Sequence, residues 1–362
     1  MGKAASLANI GTIADSSLGF RNRIINGAMV IDQRNAGASV TPISGQFVAD
    51  RFYYTVSQAS KLTAQQSSIT SLAGFINMLR TTSSSAYSVL STDIFALRQT
   101  IEGLNVADLS WGTANAATVT LSFWVRSTLT GTFGGSLRNS AADRSYPFSY
   151  TISAANTWEQ KSITVVGDTS GTWLTTNGVG ILLSFGLGVG STNSGTAGAW
   201  AAGSFVSATG ATSVVGTNGA TFDITGVQLE KGSTATSFDY RPYGTELQLC
   251  QRYLPAWNTS AANGPFAMGQ AYSTIAANII LPYQVQPRVP PTGITSTAAS
   301  SYNLVNNSGG VAGTYNATSF YFASLNALWL TCGTSSGLVA GNATLLGTNT
   351  APAQILATGC EL

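Results

Sequence analysis

Side chains able to do acid–base or covalent chemistry are scarce in this 362-residue sequence, and none is arranged to do it. Histidine is absent, which excludes a His-based triad, a His metal site and an imidazole proton shuttle. Cys250, Cys332 and Cys360 fit neither a disulfide framework nor a four-ligand zinc site. There are 14 acidic residues, but none sits in a distinctive motif. Glycosidic cleavage needs two carboxylates held roughly 5–10 Å apart. Asp223 and Glu230 share one strand-like run at odd and even positions, so a regular strand sends them to opposite faces. Asp108 and Asp143 lie beside turns and read as turn caps. The Gly-rich stretches lack the Lys-Ser/Thr ending of a phosphate loop. Oxygen ligands would suit calcium, yet no acidic loop spaces them for it. These readings predict a protein that is not an enzyme, with no catalytic residue, no metal and no cofactor.

Binding chemistry is better supplied. Sugars pack their C–H faces on flat aromatic rings and satisfy their hydroxyls with amides and other polar groups. Seven Trp and 13 Tyr stand among abundant Asn and Gln. In the C-terminal portion the candidate ligand-binding residues are Trp257, Tyr283, Tyr302, Tyr315, Tyr321 and Trp329. Trp158 precedes a strand and reads as a lid on a sandwich edge. Trp124 and Arg126 share one strand face.

Charge narrows the partners. Only 8% of residues are charged, against roughly 25% in an ordinary soluble domain. A net charge of +2 without basic runs argues against nucleic acid. The first twenty residues have no continuous apolar core, which predicts no secretory signal. Gly2 and Ser6 match a myristoylation pattern too short to carry weight alone. The longest apolar stretch, from Val179 to Gly190, is glycine-broken and too short to insert in a membrane. Low charge is not disorder here, because 44% of residues are hydrophobic and 10% aromatic.

Strand signals dominate the elements. Val119, Leu121, Phe123 and Val125 alternate with Thr120, Ser122, Trp124 and Arg126, the period of a strand with one buried face. In Phe222 to Glu230 the same rule groups Phe222, Ile224, Gly226 and Gln228 on one side, with Asp223, Thr225, Val227 and Leu229 on the other. Asn26-Gly27 between two apolar runs predicts a hairpin turn. Short strands punctuated by Gly and Asn clusters read as a jelly-roll β-sandwich. One helix is expected over 245–255, with Thr245 as N-cap, an apolar stripe of Leu247, Cys250 and Leu254, and Pro255 as its stop. From Tyr253 to Leu362 only Arg288 and Glu361 carry charge. Within that stretch, Phe320 to Cys332 reads as a strand that is apolar on both faces. A surface so poor in ions is best covered by copies of itself or within a larger assembly.

Two strings carry a resemblance. FRNRIINGAMVIDQRN near the front and FDITGVQLEKGSTATSFDYRPYGTELQLCQRYL before the helix resemble a family of bacteriophage and prophage virion proteins of the tail-fibre type. Between them, LSFWVRS, NTWEQKSITV and ITGVQLE are similar to the jelly-roll carbohydrate-binding modules that such fibres use. The likeness covers roughly residues 20 to 255 and contains no catalytic signature. It implies assembly on a phage particle, homotrimers and contact with host-surface glycans.

The expected fold is all-β, a jelly-roll β-sandwich followed by a short connecting helix and a second, smaller β-domain. The expected divisions are an N-terminal virion-attachment arm (1–22), which meets other phage structural proteins, the sandwich (23–244), the helix (245–255) and a distal β-domain for oligomerisation or receptor binding (256–362). The expected function is that of a virion structural protein on the particle surface, at or near the tail. It would be a short tail fibre or fibre tip that binds glycans without cleaving them. The alternatives are a capsid or tail decoration protein with no ligand, and a glycan-cleaving tailspike.

Overall fold

The computed structural model describes residues 21–306, 308–350 and 353–362. The regular structure of the described residues is almost all β-strand, and the chain divides into two compact units between Glu246 and Leu247. Residues 1–20 of the expected arm lie outside the described residues. Arg21 and Asn22, also assigned to that arm, belong instead to the first unit, where Asn22 is buried.

The first unit is a two-sheet jelly roll. Its seven-stranded sheet runs Phe47–Ala49, Phe52–Val56, Ile94–Glu102, Val179–Val189, Gly131–Arg138, Arg144–Ile152 and Ala201–Ala202 from edge to edge. Its five-stranded sheet runs Leu62–Ser68, Asn77–Ser83, Thr221–Lys231, Val119–Ser127 and Glu159–Val165. All pairings within these two sheets are antiparallel. Each sheet turns one face inward. Val119, Leu121, Phe123 and Val125 are fully buried, as their spacing predicts, and meet Phe95, Leu97, Leu183 and Phe185 from the opposite sheet in one core.

Two local expectations fail, each for a reason that period counting omits. The strand Thr221–Lys231 is not regular. Thr225 pairs with Trp124 but Gln228 pairs with Ser122, so one extra residue is inserted at Gly226-Val227. Gly226 holds φ +59°, and a Cβ there would meet the Phe75 ring at 2.7 Å, so glycine alone fits this bulge. The insertion reverses the alternation. Val227 and Leu229 join Phe222 and Ile224 in the core, and the outer face carries Asp223, Thr225, Gln228 and Glu230. Asp223 and Glu230 therefore share a face, against the expectation for a regular strand.

Asn26-Gly27 does not link two strands. It is a buried turn docked on that same bulge, with the Val227 amide donating to the Gly27 carbonyl at 2.9 Å. The Asn26 side chain replaces a strand partner. Its amide donates to the carbonyls of Ile31 and Asp50, and its oxygen accepts from the Ile31 amide.

The helix spans Tyr243–Gln251 rather than 245–255. Thr245 sits inside its first turn, because Pro242 supplies the fixed φ that starts the helix and its carbonyl accepts the Glu246 amide. Glu246 is buried and forms an ion pair with Arg241 at 3.2 Å.

The second unit pairs a three-stranded sheet (Ala256–Thr259, Ala353–Thr358, Gly293–Ser296) with a six-stranded one. The latter runs Tyr302–Val305, Ala343–Thr348, Pro265–Ala271, Ala276–Pro282, Ala327–Thr334 and Tyr315–Ala323. Ile279, Leu281, Leu304, Leu328, Leu330, Cys332 and Leu346 of the larger sheet pack with Ile355 of the smaller. Phe320 to Cys332 is not one strand but a hairpin. The Ser324 hydroxyl accepts the amides of Asn326 and Ala327 and turns the chain. Among the described residues no helix is long and apolar enough to cross a membrane.

Candidate functional site

The six candidate aromatics of the second unit separate into three pairs with different surroundings. Tyr302 and Tyr315 lie in the core with ring centroids 5.6 Å apart. They are 2% and 6% exposed. The Tyr302 hydroxyl donates to the Gln354 carbonyl, and that of Tyr315 is bonded to the Thr318 hydroxyl. With faces covered and hydroxyls engaged they present nothing to a ligand, and they are withdrawn as site residues. Strand parity marks them as facing one side but does not say that this side is the core.

Trp257 and Tyr283 pack half-buried at 5.7 Å, tilted by 37°. The indole Nε1 donates to the Pro282 carbonyl at 3.2 Å. Burial pushes the Tyr283 hydroxyl well above the usual phenol range. Beside them lies an open cleft of about 180 Å³ bordered by Gln251, Pro255 and Gln284, small for a saccharide.

Tyr321 and Trp329 form the open pair, with ring centroids 4.6 Å apart and tilted by 49°. Trp329 is half-buried and Tyr321 is 62% exposed. Their arrangement comes from a second bulge. Phe320 pairs with Leu330 but Phe322 pairs with Trp329, so Tyr321 is the extra residue of the edge strand Tyr315–Ala323. In a regular strand Tyr321 and Phe322 would point to opposite faces; the bulge leaves both outside, Phe322 at 60%. Phe322 was absent from the sequence candidates, which were drawn from Trp and Tyr alone.

The sheet continues this site in two rows on its outer face. One is apolar. Val305 pairs with Leu345, Leu345 with Met268, Ile280 with Trp329 and Trp329 with Phe322. Met268 and Ile280 lie one residue beyond the paired Gly269 and Ile279. The row next to it is polar: Gln270 pairs with Asn278, Asn278 with Thr331 and Thr331 with Ser319. The Gln270 amide nitrogen is held by the Gly341 carbonyl at 2.9 Å, which fixes the side chain. Tyr321, Phe322 and Trp329 thus form an aromatic step beside amides and hydroxyls, the combination a sugar ring requires. The six strands of this sheet contain no charged residue.

The carboxylates of the first unit are engaged elsewhere. Asp223 is 1% exposed and accepts from Arg80 Nε at 2.8 Å and Arg126 Nη2 at 2.8 Å. Glu230 accepts from the Gln228 amide at 2.9 Å and from the Thr236 hydroxyl at 2.7 Å. Though they share a face, six residue steps of strand separate them by about 20 Å, too far for a glycosidase pair. Asp168 is buried against Arg144 at 2.7 Å. Arg23 clamps Asp108 through two hydrogen bonds of 2.7 and 2.8 Å. Trp158 is not an edge lid. It packs with Phe75, Met78 and Trp124 on the outer face of the five-stranded sheet, under the Arg126 guanidinium at 4.8 Å.

Burial raises the Cys332 thiol to about 11 and the Cys360 thiol to about 12, so neither is a nucleophile near neutrality. Among the described residues no three Cys, Asp or Glu side chains converge as metal ligands.

The two strings that carry the virion resemblance meet in space. The Asp239 carboxylate accepts the amides of Arg21 and Asn22 at 2.9 and 3.2 Å. The Asn22 side chain bonds the Val227 carbonyl and the Leu229 amide. Arg241 donates to the carbonyls of Asn22 and Ile24, and Glu246 accepts the Asn26 amide. Segments some 200 residues apart thus share one polar lock, which marks a scaffold and not a reactive centre.

No protein-family model matches the chain, and no curated protein matches it. Among solved structures it is similar to the enzymatically active domain of bacteriophage CBA120 tailspike protein 4, at 14% identity and TM-score 0.32, over 59% of this chain and 22% of that one. A structure of carbohydrate-binding module family 4 matches at 14% identity and TM-score 0.29, over 57% and 98%. The family 11 module of Clostridium thermocellum, in complex with a mixed-linked tetrasaccharide, matches at 10% and 0.28, over 56% and 100%. At these identities no residue of a neighbour's site transfers to this chain.

Proposed function

We propose that this chain is a structural protein of a phage particle, a short tail fibre or fibre tip, that binds host-surface glycans without cleaving them. The observation that carries the binding role is the bulged edge of the six-stranded sheet, where Tyr321 and Phe322 stand open beside Trp329 and a row of amides and hydroxyls. A neutral sugar would stack its apolar face there and bond its hydroxyls to Gln270, Asn278 and Thr331. The non-cleaving part is supported by the engagement of Asp223, Glu230 and Asp168 with arginines or hydroxyls and by the absence of charge from the second unit's larger sheet. The virion part rests on the resemblance of the two strings, which meet as the lock at Asn22 and Asp239. In this reading the residues ahead of Arg21 reach toward other particle proteins, and the second unit carries the glycan site.

Binding to a glycan array, compared with Trp329→Ala and Tyr321→Ala, tests the reading. Loss of at least 2 kcal/mol in either variant, about 30-fold in affinity, is the size expected of an aromatic anchor. Unchanged binding in both would remove the site. New reducing ends after incubation with host polysaccharide would favour the tailspike alternative. No glycan binding, with weakened particles when the protein is missing, would favour the decoration alternative.

The apolar row supports a second use of the same face. Met268 is 67% and Ile280 44% exposed, and an uncovered apolar strip in a sheet free of charge favours contact with further copies of the chain. In this reading the copies form a homotrimer. Met268→Lys with Ile280→Lys should then sediment as protomers; wild type already sedimenting as protomers at high concentration would exclude it.

A further inference from the structure

The outer face of the seven-stranded sheet holds two arginines that have no counterion among the described residues. Tyr53 pairs with Arg98, Arg98 with Ser184, and Ser184 with Ser136 in one cross-strand row. In the next row on that face Thr100 pairs with Leu182, and Leu182 with Arg138. Arg98 is 8% exposed, and Ser136 and Ser184 are each 0% exposed. Both serine hydroxyls and both arginine Nε atoms are enclosed without a hydrogen-bond partner. Arg138 reaches the Ser204 hydroxyl. Among the described residues neither arginine forms an ion pair with Asp or Glu, unlike Arg23, Arg80, Arg126, Arg144 and Arg241.

Desolvated guanidinium groups side by side are costly unless an anion joins them. Burial lowers the proton affinity of Arg98, the Tyr53 hydroxyl opposes that, and Arg138 adds to it. Arg138 is lowered by burial as well. Two planar forks with free Nε donors, the Ser184 hydroxyl on the strand between them and the Ser136 hydroxyl on Arg138's own strand match the needs of a carboxylate or sulfate.

We propose that Arg98 and Arg138, with the hydroxyls of Ser136 and Ser184, form a site for one oxyanion group carried by an acidic saccharide. The saccharide part rests on the glycan-binding reading above; the oxyanion part stands on this sheet alone. Occupation would neutralise the arginine pair and satisfy the enclosed hydroxyls.

Calorimetric titration of the full chain with sodium glucuronate, inorganic sulfate and glucose at one ionic strength tests this. Glucuronate and sulfate should bind and glucose should not. Arg98→Gln should abolish both, and Arg138→Gln should weaken both by about tenfold or more. Should Arg98→Gln fail to fold, the half-exposed Arg138→Gln and Ser136→Ala carry the test. Absence of binding by both anions, or equal binding by the variants, overturns the site. Binding of sulfate but not glucuronate overturns the saccharide part. Trp329→Ala should leave anion binding unchanged, so failure of the neutral platform and failure of this site are read separately.

Discussion

Asp223 is the residue whose removal should cost the first unit most for the fewest atoms. It lies on the central strand of the five-stranded sheet, and its carboxylate accepts four hydrogen bonds. Arg80, one strand away, donates at 2.8 and 2.9 Å, and Arg126, on the other side, at 3.0 and 2.8 Å. The carboxylate is 1% exposed, whereas the arginine side chains are 36% and 20% exposed. Breaking a buried pair by deleting one member costs about 3–5 kcal/mol. Here the stranded arginines can turn partly to water, so the low end, about 3 kcal/mol, is expected for Asp223→Ala. Asp223→Asn keeps the volume and one acceptor but turns an amide nitrogen toward a guanidinium, and should cost about 2 kcal/mol. Arg80→Ala leaves Arg126 holding the carboxylate and, at this exposure, should cost about 1 kcal/mol. Urea unfolding followed by tryptophan fluorescence gives these differences directly if the slope is unchanged. A loss below 1 kcal/mol for Asp223→Ala, or Arg80→Ala costing more than Asp223→Ala, would refute the picture of one buried anion clamping three strands.

Gly27→Ala places a methyl against the Val227 carbonyl well inside van der Waals contact, and the docked turn should lose about 3 kcal/mol by thermal melting. Cys332 and Cys360 have thiols raised from 9 to about 11 and about 12. Their contribution to stability is therefore complete below pH 9 and is lost as pH rises through 11 to 12, about 2–3 kcal/mol for Cys332 alone. Melting of the second unit should fall across that window, while thiol labelling at pH 8 stays negligible until denaturant is added. Tyr302→Phe removes one donor from the Gln354 carbonyl, which keeps the Thr297 amide, and should destabilise by about 1 kcal/mol without touching glycan affinity; lost affinity with intact stability would return Tyr302 to the site.

What the amino-acid pattern made legible is what depends on near neighbours. Alternation from Val119 to Val125 placed four side chains in the core because that strand is even. The same rule failed at Gly226 and Tyr321, where one inserted residue reverses every side chain beyond it. A bulge leaves little trace in composition; the glycine at 226 was the one visible signal, and Tyr321 had none. The edge aromatics Tyr321 and Trp329 were legible as residue types, but their separation from Tyr302 and Tyr315 was not, because exposure depends on which face the second sheet covers. The lock of Asn22, Asp239, Arg241 and Glu246 was out of reach for a different reason. It joins segments some 200 residues apart, and no local period encodes such a pairing. Helix 245–255 came out two residues early because Pro242 fixes the start that Thr245 was expected to cap.

The scarcity of charge also changes meaning once the ions are located. In the first unit many of the carboxylates are interior fasteners: Asp223 under Arg80 and Arg126, Asp168 under Arg144, Glu246 under Arg241, and Asp93 bonded to the Ser57 and Tyr87 hydroxyls. Charge used this way fixes strand register but keeps little surface hydrated. The outer sheet face of the second unit goes further, with no ion and an apolar row six strands wide. Such a face favours contact with a partner surface, and its two halves suit different covers. Met268 and Ile280 offer aliphatic surface for another protein, whereas Tyr321, Phe322 and Trp329 at the bulged edge offer rings flanked by amides. A subunit contact through the aliphatic half would leave the aromatic edge at the rim of the assembly. But because Ile280 pairs with Trp329, and Gln270 and Asn278 lie two residues from Met268 and Ile280, the two proposed uses of this sheet would compete, and disrupting Met268 and Ile280 should release protomers that still bind sugar through Trp329.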